Sequence, residues 1–165
     1  IMSDHRKIGY KTGEVPLQGI RLVAGVDVQK NSLYFVVRAF GGRGTSWLVH
    51  YGQIHGPTSE DEVWEDLTDL LFTPIDGMQI EKALIDSGFR PDKPDGGSIH
   101  KVYDYCRRLG FLAVPSKGLK TAAQPYRISQ IEVTAQGKKT PVSIRLALLS
   151  TDFFNRWCIP DCGRQ

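Results

Sequence analysis

The chain has 165 residues, of which 41% are hydrophobic and 24% charged, with a formal net charge of +3. These values suit one globular domain with a sizeable core and exclude a low-complexity or strongly charged disordered chain. No apolar run approaches the ~18 residues that span a bilayer, and no charged-then-apolar leader opens the sequence.

Residues 1–19 are polar, with Gly9, Gly13, Pro16 and Gly19 scattered among them, and are expected to form an arm or linker. The opening Ile1-Met2 points to a piece of a longer chain. Residues 21–29 (R-L-V-A-G-V-D-V-Q) alternate as a strand: Leu22, Ala24, Val26 and Val28 share one face, Val23, Gly25, Asp27 and Gln29 the other. After a short turn, residues 33–40 make a second, apolar strand. A glycine-rich turn at 41–44 leads to a third at 47–54. Connections this short cannot carry parallel crossovers, so the three strands are expected to form an antiparallel meander.

A helix follows. Ser59 and Glu62 have capping-box spacing, and Val63, Trp64, Leu67, Leu70 and Leu71 recur at helical intervals. Residues 82–86 (K-A-L-I-D) form a short buried strand that breaks at Ser87-Gly88. After a Pro/Gly-rich loop, Ser98 starts a second helix whose stripe is Ile99, Val102, Tyr103, Cys106 and Leu109. Residues 111–115 are a further strand, 116–139 show no clear period, 142–150 are again a strand, and a helix starts at 151. The whole predicts an α/β fold: a mixed sheet, with a three-strand meander followed by alternating helices and strands, and helices on both faces.

Charge is distributed unevenly. Residues 58–96 hold 11 acidic and 3 basic side chains, whereas residues 100–145 hold 2 acidic and 9 basic ones. A polyanion is drawn to the second stretch and a divalent cation to carboxylates of the first. Three cysteines, Cys106, Cys158 and Cys162, do not make a disulfide framework. Cys158 and Cys162 lack the further ligand pair that structural zinc requires.

Asp27, Asp86 and Asp152 each follow or interrupt an apolar strand. A carboxylate buried there needs a partner or a cation, which makes one shared site the expectation. Three converging carboxylates repel one another; two magnesium ions relieve that and clamp a phosphodiester for in-line hydrolysis. Magnesium suits such a site because it takes a few carboxylates plus water and phosphate oxygens. The competing reading of each aspartate is a strand-end or helix-cap residue, most so for Asp152 before Phe153-Phe154.

Residues 22–29 (L-V-A-G-V-D-V-Q), 46–52 (S-W-L-V-H-Y-G), 54–56, Val63-Trp64, Leu67, 85–88 (I-D-S-G), 102–107 (V-Y-D-Y-C-R) and 150–152 (S-T-D) together resemble the nuclease region of lambda-type tailed-phage terminase large subunits. The resemblance spans residues 22–152. It implies a ribonuclease H-like nuclease domain at residues 20–157, between the arm at 1–19 and a tail at 158–165. It also implies two Mg²⁺ or Mn²⁺ ions and the cutting of concatemeric viral DNA. The family's first metal-binding aspartate falls on Asp27, that of the fourth strand on Asp86, and the late acidic residue on Asp152. Implied partners are double-stranded DNA, the packaging ATPase of the full-length chain, the small terminase subunit and the portal or procapsid, in the host cytoplasm during phage assembly. No G-x-x-x-x-G-K-[ST] run occurs, so the ATPase is expected to lie outside this sequence. Two stretches depart from the pattern: 88–98, where relatives are expected to carry a histidine-bearing turn, and the tail after Trp157.

Lys117, Lys120, Arg127, Lys138 and Lys139 are candidate backbone-phosphate contacts, Lys117 reaching toward a scissile phosphate. His50, His55 and His100 show no zinc spacing, and Trp47, Trp64 and Trp157 are expected as core anchors. No Ser/His/Asp or Cys/His arrangement emerges. Other readings on the same scaffold are a non-catalytic module docking DNA or capsid, and a junction resolvase or transposase core.

Overall fold

The computed structural model describes residues 11–88, 97–134 and 141–153. Its elements, in chain order, are β1 (Arg21–Val28), β2 (Ser32–Phe40), β3 (Ser46–His55), α1 (Glu62–Phe72), β4 (Ile80–Asp86), α2 (Gly97–Leu109), β5 (Ala113–Leu119), β6 (Tyr126–Thr134) and β7 (Pro141–Ser150). All seven strands join one sheet in the order β3-β2-β1-β4-β5-β7-β6. The expected meander is present: β1 pairs antiparallel with β2, and β2 with β3. β4 then pairs parallel with β1, β5 with β4, and β7 with β5.

Period-two alternation in β1 and β2 puts Leu22, Ala24, Val26, Val28, Leu33, Phe35, Val37 and Ala39 on one buried face. Against it lie Val63, Trp64, Leu67 and Leu71 of α1 and Val102, Tyr105 and Cys106 of α2. Each large aliphatic side chain fully buried here contributes about 1.5–3 kcal/mol. Trp64 is the largest fully buried side chain, as expected of an anchor. Its ring packs on Tyr105 at 4.9 Å between centroids, and its indole N–H donates to the Thr58 carbonyl at 3.0 Å.

Helices on both faces are not found among the described residues: α1 and α2 share one. The reason is topological. β3 to β4 and β4 to β5 are both parallel crossovers stepping in the same lateral direction, and right-handed crossovers of that kind land on the same side. The opposite face leaves Tyr34, Val36, Tyr51, Tyr126 and Ile128 exposed. The Ser59–Glu62 capping box is also absent: α1 starts at Glu62 itself, three residues after Ser59, with Asp61 at the N-cap and no side-chain cap bond. The Asp61 carboxylate accepts from Lys101 of α2 at 2.6 Å. That neighbour lowers the Asp61 pKa, through the hydrogen bond first and the charge second.

Residues 116–139, without a clear period in the sequence, hold the rest of β5 and all of β6. β6 is an edge strand paired antiparallel with β7. Both of its faces are partly open, so no clean alternation marks it. Residues 11–20, part of the expected arm, lie against the sheet: the Gly13 and Ile20 amides donate to the Val49 and Phe40 carbonyls, each at 2.8 Å.

Candidate active site

β1 and β4 are parallel neighbours in register, with Val26 opposite Ile85, so the next residues, Asp27 and Asp86, sit side by side at the carboxyl ends of adjacent strands. Because Val26 and Ile85 both point into the core, the two aspartates both point to the face opposite α1 and α2. A shallow cavity of about 360 Å³ opens there, lined by Asp27, Gly25, Tyr34, Leu84, Ser116 and Leu149 among others. Asp27 is exposed and Asp86 half-buried. Burial was the expectation for Asp27, and it is corrected: the apolar half of β1 faces the core, and the aspartate belongs to the other half.

Each carboxylate is oriented by one local donor. Gln29 Nε2 donates to Asp27 Oδ2 at 2.8 Å, and the Gly88 amide to Asp86 Oδ1 at 2.9 Å. Among the described residues no lysine or arginine makes an ion pair with either aspartate, and their second oxygens, Asp27 Oδ1 and Asp86 Oδ2, accept no hydrogen bond. Two adjacent carboxylates with open oxygens, no counter-cation and access to solvent form a donor set that fits a hard divalent cation.

Hydrogen bonds to the backbone hold the pair in place. Beyond Asp86, the buried Ser87 clamps β4 to β5, its amide and its hydroxyl donating to the Ser116 carbonyl at 2.8 and 2.9 Å. Beyond Asp27, Thr58 Oγ1 donates to the Gln29 carbonyl at 2.7 Å and approaches that of Lys30 at 3.2 Å. Trp64, bonded to the Thr58 carbonyl, thus ties the core of α1 to the turn that follows Asp27 and carries Gln29. Thr58 and Ser116 carried no motif signal. Ser87 stood only as a strand-breaking residue within I-D-S-G.

Asp152 is not brought to the pair. Asp86 is level with Ser116 and Ala147 across β5 and β7, so Ser150, three residues on, lies roughly 10 Å past that row and two strands away. Asp152 follows in a helical turn, where its carboxylate accepts from Thr121 Oγ1 at 3.2 Å and its amide donates to the Lys120 carbonyl at 3.3 Å. Gly118 permits this placement, since a Cβ there would meet Thr151 Cγ2 at 2.9 Å. No group of three His, Cys, Asp or Glu side chains suited to a metal forms among the described residues. Lys117 and Arg127 share a row through Leu148, one residue out of step with Ser116, and so face the helix side, away from the acid pair. Lys138, Lys139, Cys158, Cys162 and Trp157 lie outside the described residues, as does most of the stretch 88–98.

A family model described as the terminase large subunit gpA, endonuclease domain, matches residues 2–162. The chain belongs to this family. Its terminase endonuclease domain has the α/β class of fold expected from sequence, a mixed sheet with the meander followed by parallel strands. Among solved structures it is similar to RuvC of Thermus thermophilus, at 18% identity and a TM-score of 0.41 over 58% of this chain and 63% of that one. It is similar also to T. thermophilus RuvC in complex with Holliday junction substrate, at 16% identity and a TM-score of 0.41, covering 58% and 65%. The chain thus spans under two thirds of either RuvC chain. No curated protein matches the sequence.

Proposed function

We propose that this endonuclease domain hydrolyses phosphodiester bonds of duplex DNA during viral genome packaging, using Mg²⁺ or Mn²⁺, with two ions held at Asp27 and Asp86. The observation that carries the reading is the pairing of these carboxylates on adjacent parallel strands, both on the open face and neither neutralised by a described cation. Divalent ions bound there supply an acidified water and neutralise charge on the phosphoryl oxygens. The chain's own part is to fix the two carboxylates: Gln29 and the Gly88 amide each satisfy one oxygen and leave the other for the cation. Asp152 enters the site only if its turn comes nearer to the pair than it stands here. In the full-length protein, an ATPase domain, the small terminase subunit and the portal are the expected partners, in the host cytoplasm.

Nicking of supercoiled plasmid tests the proposal. The wild type is expected to nick with Mn²⁺ or Mg²⁺ and not with EDTA. Asp27→Asn and Asp86→Asn are each expected to slow nicking by ~10³-fold or more, since several kcal/mol of transition-state stabilisation are lost. Nicking at the wild-type rate by a folded Asp27→Asn protein overturns the reading. DNA binding without any metal-dependent nicking would favour a docking module.

A further inference from the structure

We propose that Lys82 and Arg145, seated on the ring of Phe111, form a second contact for the backbone phosphates of the DNA strand held at the acid pair. The inference rests on the nuclease reading above and adds to it a site on the same sheet face.

Lys82 is opposite Val23 in the β1–β4 register and alternates with Leu84 and Asp86, so it projects from the open face. It lies four residues before Asp86 on the same strand, roughly 13 Å away. Arg145, two residues before Ala147 on β7, projects from that face as well, since Ala147 is level with Ser116 and Asp86. It sits roughly 7 Å back along the strands and two strands across, hence ~12 Å from Asp86. The two cations are therefore at nearly the same reach from the acids. On B-form DNA, which rises 3.4 Å per nucleotide on one strand, that reach is about four steps.

Phe111 unites them. Its ring is 73% exposed, Arg145 Cζ stands 4.8 Å from the ring centroid, and Lys82 Nζ stands 5.7 Å from it while donating to the Phe111 carbonyl. Neither cation makes an ion pair among the described residues. Glu81, adjacent to Lys82, is engaged with Arg21 at 3.8 Å. Glu132, diagonal to Arg145 across the β6–β7 ladder, makes no ion pair with it. This chemistry differs from that of a salt bridge. A carboxylate partner would cancel each charge, whereas an aromatic face and a neutral carbonyl orient the cations and leave both charges for an external anion. Arg145 and Phe111 also line a cavity of about 350 Å³ at the end of the sheet beside α2, which Lys82 does not line and whose lining has no carboxylate. A phosphodiester satisfies both cations, and the expected contacts Lys117 and Arg127, on the helix side, do not share this face.

The test is the salt dependence of binding to a fluorescent duplex in EDTA, where nothing is cut. Each phosphate contact contributes about 0.9 to the slope of log K against log salt. The double variant Lys82→Gln, Arg145→Gln is expected to lower the slope by ~1.8, and either single variant by about half of that. Arg108→Gln removes one charge from the helix side, where Arg108 stacks on Tyr105 at 5.4 Å, and is expected to leave the slope unchanged. Thermal melts establish that each variant is folded; should the double variant not fold, the singles decide. An unchanged slope in folded Lys82→Gln and Arg145→Gln overturns the inference, as does an equal loss in Arg108→Gln. Wild-type plasmid nicking, run in parallel with Mn²⁺, separates the two ideas. Nicking with unchanged slopes sinks the phosphate contact alone, and slope loss without nicking sinks the nuclease reading alone.

Discussion

Replacing Thr58 by valine isolates the contact that joins the helical core to the turn after Asp27. The side chains are nearly isosteric, so packing is kept while the hydroxyl is lost. Thr58 is 0% exposed, and Oγ1 donates to the Gln29 carbonyl at 2.7 Å. The Lys30 carbonyl keeps the Thr58 amide as donor at 3.0 Å, so the Gln29 carbonyl bears the loss. Removing the donor from this half-buried contact costs about 0.5–1.5 kcal/mol, the net worth of one hydrogen bond. For a chain of this size 1 kcal/mol moves Tm by roughly 2–4 °C, which gives an expected drop of ~1–6 °C. Thr58→Ser keeps the hydroxyl and loses one methyl, worth about 0.8 kcal/mol or ~2–3 °C, and is expected to keep the wild-type nicking rate below its Tm. Thermal unfolding followed by circular dichroism measures both, and metal-dependent nicking below the new Tm reports whether Gln29 and Asp27 have shifted. A valine variant that melts with the wild type refutes the hydrogen-bond argument.

Asp27→Asn is expected to hold Tm within ~2 °C of wild type, because the side chain is exposed and its amide oxygen still accepts from Gln29; a collapse of Tm would show a structural role instead. Ser87→Ala removes one of two donors to the Ser116 carbonyl, costing about 0.5–1.5 kcal/mol, and chemical denaturation should resolve this as a lower midpoint with unchanged slope. Burial pushes the Cys106 thiol up to about 12 from 9.0, and burial against a smaller opposing hydrogen bond with Thr68 pushes Tyr105 up to about 12 from 10.0. Both hold their protons more tightly when folded, so their stabilisation is full below the ordinary values and is lost as pH rises toward 12. Melts at pH 8 and at about pH 11 should show a fall in Tm that Cys106→Val makes smaller; an equal fall in that variant would exclude the thiol.

The terminase-type segments around Asp27 and Asp86 were legible because a carboxylate in a strand that is apolar on its other face breaks a local pattern. Alternation also predicted the meander, and helical spacing predicted the stripe around Trp64, since these elements bury one side and leave the other in water. β6 was not legible: Tyr126, Ile128 and Ile131 fall on different faces of an edge strand that neither face of the protein fully covers. The Ser59–Glu62 capping box failed because α1 starts three residues later than that spacing implies, with Glu62 as its first residue.

Local sequence, through periodicity, thus determined which residues are strand, helix and core, and which two acids end their strands. Strand order and register decided that Asp27 and Asp86 are neighbours while Asp152 is remote, and that Lys82 and Arg145, but not Lys117, share the acids' face. A residue's face follows from local alternation, but its neighbours follow from hydrogen-bonded register between strands far apart in the chain, which no local pattern encodes.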